Sequence, residues 1–185
     1  MDQLKLSNPA PLGLMGFGLT TVLLNLANTG VFPVNSAILA MGVFYGGLGQ
    51  VIAGVAEFKT GNTFGMTTFT SYGFFWLTLV AIIITPKLGW SDPPSAGFMG
   101  WYLFGSGVFT FMMWIAIVGN GGKGLQFIFL TLWILFFLLA LNAWTGVDAI
   151  GKIAGWEGLI CGLSAVYVAM GTVINGQRAK TVLPI

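Results

Sequence analysis

Asn8, Asn62 and Gln126 each stand just before a long apolar run, and Asn62 is followed by Thr63, Gly65, Thr67, Thr68, Thr70, Ser71 and Tyr72. Amides and hydroxyls at membrane depth are costly unless they face protein or water, so such groups mark pathways by default. Spacing sorts them: Gly65, Thr68 and Tyr72 lie three and four residues apart and share one helical face. Thr63, Thr67, Thr70 and Ser71 fall on a neighbouring face. Hydroxyl donors, bare backbone at Gly65 and amides beside helix N-termini, which favour negative charge, would together suit a small carboxylate. Capping explains each amide singly, and a lone Ser or Thr can bond back to its own helix. Only the cluster argues for a lining.

Gln50 stands inside an apolar, glycine-rich run, where an amide needs either an interhelical partner or a pore to face. Glu57, two residues before Lys59, is expected first to pair with it at the membrane surface and second to act as a proton site. Glu157, in the last apolar run, is either a proton site or a side chain that snorkels to the headgroups. Histidine is absent, which removes the commonest proton shuttle near neutral pH. No metal-ligand cluster, no nucleophile with a histidine base and no phosphate loop is present, so neither an enzyme nor a cofactor is expected.

These residues need a membrane scaffold. The 185 residues are 56% hydrophobic and only 6% charged, against roughly 25% charged in soluble domains. The net charge of +2 is small and no basic run suggests nucleic acid. Cys161 is alone, so no intrachain disulfide is expected. No cleavable leader and no extramembrane domain is expected either, because no stretch has the pattern for one. A spanning helix takes about 20 apolar residues, and Pro, Gly and Asn punctuation divides the chain into six: about 11–26, 36–57, 63–85, 95–118, 125–142 and 153–175. Pro86 is expected to stop the third, Gly119–Gly124 reads as a turn, and Trp144–Lys152 reads as an interfacial connector. The predicted fold is an all-α polytopic membrane protein, residues 1–185 forming one compact six-helix bundle around a central solute pathway.

With six spans both termini share a side. Lys5, Lys59, Lys123, Arg178 and Lys180 would lie there, against Lys87 and Lys152 opposite, so the positive-inside rule puts the termini in the cytoplasm. Gly42 with Gly46 and Gly158 with Gly162 have small-xxx-small spacing, suited equally to a subunit interface or to packing within one protomer. Trp76, Trp90, Trp101 and Trp144 are candidate interfacial anchors. Phe17-Gly18-Leu19-Thr20-Thr21 is echoed by Phe64-Gly65-Met66-Thr67-Thr68, and matching Asn8 to Asn62 instead shifts the register by seven residues.

Several of these stretches together resemble the acetate uptake transporters, the succinate–acetate permease family. They are Asn8-Pro9-Ala10-Pro11-Leu12-Gly13-Leu14, Gly61–Gly65, Thr70–Gly73 with Phe75-Trp76, Leu125-Gln126-Phe127, Ile160-Cys161-Gly162 and Val182–Ile185. The resemblance covers almost the whole chain and is strongest to bacterial members. It implies a six-helix protomer assembled as a homohexamer in the cell inner membrane, each protomer with its own pathway for acetate or succinate. It also implies an apolar constriction, which by motif position falls on Phe17, Tyr72 and Leu132. Leu132 and Ala165 match family positions where changes broaden substrate range, and Glu157 stands where enteric relatives carry an apolar residue.

The expected function is therefore transport of small carboxylates past that constriction. Asn8, Gly13, Thr20, Gln50, Asn62, Gly65, Thr68, Ser71, Gln126 and Ala165 are the candidate substrate-binding residues, and Glu57 and Glu157 the candidate proton sites. Proton-coupled symport is the alternative to a channel. A channel for neutral solutes such as urea, glycerol or ammonia is another, and a non-transporting scaffold a third.

Overall fold

In the computed structural model, which describes residues 6–185, six helices are long and apolar enough to cross a membrane. They are α1 (Ala10–Asn28), α2 (Ser36–Thr60), α3 (Thr63–Lys87), α4 (Ala96–Ile117), α5 (Lys123–Thr145) and α6 (Asp148–Arg178). No strand occurs among the described residues. Local chemistry sets the ends. Asn35 Oδ1 accepts from the amides of Ala37 and Ile38 at the start of α2, Asn62 Oδ1 from Gly65 at the start of α3, and Ser95 Oγ from Phe98 at the start of α4. Each satisfies a donor that the first helical turn leaves open. Gly61 and Gly146 end α2 and α5 at φ 75° and 67°, where a side chain would be strained.

Two boundaries and one helix interior differ from the sequence reading. Pro86 lies inside the last turn of α3, which runs on to Lys87. Trp144–Lys152 is no connector: left-handed Gly146 stops α5, and α6 opens at Asp148. Within α2, Gly42–Gly49 is π-helical, and Gln50 follows directly. Thr20 Oγ1 donates to the Met41 carbonyl at 3.4 Å, beside this widened stretch.

The helices form a ring. α6 packs along α1, α1 along α2, α2 along α3, α5 along α6 and α4 along α5. The α1–α6 seam is made of backbone. A Cβ on Gly18 would stand 2.7 Å from the Gly162 carbonyl oxygen, and one on Gly162 would stand 2.8 Å from that of Gly18. Gly158 seats the Asn25 amide, Gly42 faces Val80, and Gly46 faces Thr20 and Trp76. All four small-xxx-small glycines therefore pack inside one protomer, and the subunit-interface reading of them does not hold. Trp76 is also corrected: it is buried against α2, whereas Trp90, Trp101 and Trp144 are exposed as membrane anchors would be.

The ring closes between α3 and α4 through side chains. Phe75 stacks on Tyr102 with ring centroids 5.3 Å apart, and the Tyr102 hydroxyl donates to the Phe75 carbonyl at 3.1 Å. At one end of the bundle stand exposed Lys59, Lys123, Arg178 and Lys180; at the other stand Lys87 and Lys152 with Asp92 and Asp148. Lys5 lies outside the described residues. The last residues fold back on the cation-rich end: Asn175 Oδ1 accepts from the Val182 and Leu183 amides, its Nδ2 donates to the Leu183 carbonyl, and the Tyr167 hydroxyl donates to that of Pro184.

Candidate transport pathway

Two cavities of similar size lie end to end within the ring. The first, about 260 Å³, opens at the cation-rich end, and Ala10, Leu14, Asn62, Gly65, Thr68 and Leu125 are among its walls. Ile185 borders its mouth. The second, about 250 Å³, opens towards the other end between α1, α3, α4 and α5. Between them lies a space of about 10 Å³, bordered by Leu14, Phe17, Gln50, Thr68, Phe69, Tyr72, Ile128, Phe129 and Leu132. Phe17, Tyr72 and Leu132 border both this narrow space and the second cavity. Their rings crowd: Tyr72 lies 6.1 Å from Phe17 and 6.2 Å from Phe129, centroid to centroid. A space that small holds no more than about one water.

The Tyr72 ring is held from outside the narrow space. Its hydroxyl donates to Thr110 Oγ1 on α4 at 2.8 Å, and the Phe109 ring meets it edge-on at 5.6 Å. Thr68 Oγ1 and Gln50 Oε1 are buried without a hydrogen-bond partner, and both residues border the narrow space. At the first cavity, Glu57 turns inward and is 2% exposed, with Oε2 accepting from Asn62 Nδ2 at 2.9 Å and from the Thr60 hydroxyl at 3.2 Å. Its Oε1 has no partner. Lys59 is exposed while the Glu57 carboxylate is buried on Asn62 and Thr60, so the expected surface pair does not form. Asn62 caps α3 and faces the cavity at once, which the sequence left as alternatives.

Other candidates border none of these three spaces. Asn8 bonds the Ala10 amide at the head of α1, and Gly13 makes room for the Phe69 ring. Thr20 packs on α2. Ser71 is half-buried and borders neither cavity. Gln126 spends its amide on the preceding turn, donating to the Gly121 carbonyl and accepting from the Gly119 amide. Ala165 is wholly buried in the packing of α6. Glu157 does not snorkel: both carboxylate oxygens are buried without a partner, outside all three spaces. Among the described residues no cluster of His, Cys, Asp or Glu could hold a metal.

The sequence reading missed the polar wall of the second cavity. Thr21, Asn25 and Asn28 all line it; Asn25 Nδ2 donates to the Thr21 carbonyl, and Asn28 Nδ2 to Asn25 Oδ1. Their spacing of four and three was the available signal. It also missed a hydroxyl column on α4, Tyr102, Ser106 and Thr110, spaced by four in an otherwise apolar helix.

The profile of the GPR1/FUN34/yaaH family matches residues 1–185. The chain belongs to this family. One family relative, the succinate-acetate/proton symporter SatP of Escherichia coli strain K12, is 58% identical over 185 residues, covering 100% of this chain and 98% of that protein. A solved structure of the bacterial acetate channel SatP superposes with a TM-score of 0.96 at 59% identity, covering 98% of this chain and 99% of that one. A more distant family relative, the ammonia transport outward protein 2 of Saccharomyces cerevisiae, is 35% identical across 95% of this chain and 64% of its own length. The family position and these transporter and channel relatives make the chain a multi-pass membrane protein of the transport class.

Proposed function

We propose that this protein carries acetate, and succinate as a second substrate, across the membrane through the two cavities and the narrow space between them. The observation that carries the reading is that Phe17, Tyr72 and Leu132, drawn from α1, α3 and α5, border one space of about 10 Å³ where the cavities meet. A small carboxylate would find amide and hydroxyl groups in each cavity and lose water at the apolar ring, so discrimination rests on donor placement and ring width. Asn62, Gly65 and Thr68 receive it on one side, with Gln50 and Thr68 at the constriction. The names of the relatives, an acetate channel and a succinate-acetate/proton symporter, support the substrate class.

Coupling to protons would use Glu57, the carboxyl that borders the first cavity, or the protonated acid itself. The cation-rich end suits the cytoplasmic side of a cell inner membrane, with a homohexamer of protomers that each keep their own passage. Radiolabelled acetate uptake into proteoliposomes, with and without an imposed pH gradient, tests both parts. Uptake is expected to fall severalfold or more in Tyr72→Ala or to admit larger carboxylates in Leu132→Ala; a flux untouched by both would sink the pathway. A second reading, a neutral-solute channel, draws on the yeast relative's name and on the lack of any Lys or Arg among the described residues that border the three spaces. Competition by ammonia or urea, with none by unlabelled acetate, would favour it.

A further inference from the structure

We propose that Thr110 is a positioning residue that holds the Tyr72 phenol out of the passage, and so sets how far the constriction is open. The inference rests on the transport reading above. Thr110 is 0% exposed on α4, borders neither cavity nor the narrow space, and is joined to the pathway by the hydrogen bond from Tyr72. The direction of its hydrogen bonds is fixed. Its hydroxyl proton goes to the Ser106 carbonyl at 2.7 Å, so towards Tyr72 it can only accept. Tyr72 must then donate, and a hydroxyl gives one proton, so the phenol is committed to α4 as long as Thr110 is there. Ser106 in turn donates to the Tyr102 carbonyl at 3.0 Å, which makes the acceptor part of a column anchored along α4.

The alternative position for the phenol lies in the pathway. Tyr72 is 4% exposed, and a buried hydroxyl without a partner is costly enough to move. Gln50 Oε1 is a buried acceptor with no partner and borders the same narrow space. Without Thr110 Oγ1, Tyr72 gains by turning its hydroxyl inward, into a space with room for no more than about one water. The ring then blocks what it had only lined.

Thr110→Val keeps the side-chain shape and removes the acceptor. Acetate flux per folded protein in proteoliposomes should fall by about tenfold, the order expected from one unpaired buried hydroxyl. Thr110→Ser, which can still accept, should restore flux to near the original. The deciding variant is Tyr72→Phe with Thr110→Val: once the phenol hydroxyl is gone, the valine should have no further effect on the Tyr72→Phe flux. If the valine lowers flux equally in both backgrounds, Thr110 acts only through the shape of α4 and the inference is overturned. If Thr110→Val conducts like the unaltered protein while Tyr72→Ala does not, the inference fails and the transport reading survives. Should the valine variant not fold by size-exclusion chromatography, Thr110→Ala reads the same bond in the same cycle.

Discussion

The two seams that close the helical ring are built from opposite materials. Along α1 and α6 the backbones touch, with Gly18 and Gly162 each within 3 Å of where the other's Cβ would be: 2.7 and 2.8 Å to the facing carbonyl oxygens. Gly155 continues the seam, its absent Cβ standing 2.5 Å from the Thr29 amide nitrogen. Along α3 and α4 the contacts are rings and hydroxyls: Phe75 on Tyr102, Tyr72 on Thr110 and Phe109. A backbone contact has no rotamer to change, whereas a ring contact can reorganise without moving a helix. The proposed pathway thus has one wall of fixed position, and another whose shape is set by how aromatic side chains are held.

Three substitutions test that contrast, beginning with the one expected to do most damage. Gly162→Val drives a branched side chain into the α1 backbone; overpacking of this kind costs about 1–3 kcal/mol, and the seam should be at the upper end because neither partner can turn aside. Thermal melting in detergent followed by size exclusion would read it, and an unchanged melting temperature would break the comparison. Tyr102→Phe removes the bond to the Phe75 carbonyl but leaves the stacked ring, so the loss should be about 1 kcal/mol with acetate flux retained. A collapse of the fold there would mean that the side-chain seam is as unforgiving as the glycine one. Gly105→Ala, on α4 with nothing within 4 Å of its new Cβ, should shift stability by no more than about 0.5 kcal/mol, in the stabilising direction if at all.

Much of this was legible in the sequence, for identifiable reasons. The six spans follow from apolar length and from Pro, Gly and Asn between them, and their ends were misjudged by a few residues, as where left-handed Gly146 carries the turn and where α3 runs past Pro86. The face assignment of Gly65, Thr68 and Tyr72 holds: the first two border the first cavity, the last the narrow space. Phe17 and Tyr72 share that narrow space, so of the two repeat registers the Asn8–Asn62 one matches depth. Glycine spacing announced close approach but not to what, and the space at Gly42, Gly46, Gly158 and Gly162 is filled by Val80, by Thr20 and Trp76, by Asn25 and by the Gly18 carbonyl. Amides were the least legible. Asn62, Gln126, Asn25 and Asn28 all sit at helix ends, and whether such a side chain caps, braces a loop or lines a cavity depends on helix rotation, which spacing does not supply. Glu57 was misread because its neighbour in sequence, Lys59, is not its neighbour in space.

The π-helical stretch of α2 carries its own consequence, one of residue number. In Gly42–Gly49 the hydrogen bonds reach five residues instead of four, so this stretch accommodates more chain per turn than the α-helix on either side. Each residue of an α-helix turns its successor by about 100°. Tightening the stretch to α geometry with all its residues kept would rotate the rest of α2, taking the Gln50 amide away from the narrow space and Glu57 away from the first cavity. Deleting one residue as it tightens would leave both in place. The aim of both side chains is therefore stored in the width of a glycine-rich turn: a one-residue deletion that removes the wide turn should preserve it, and tightening the run at full length should lose it.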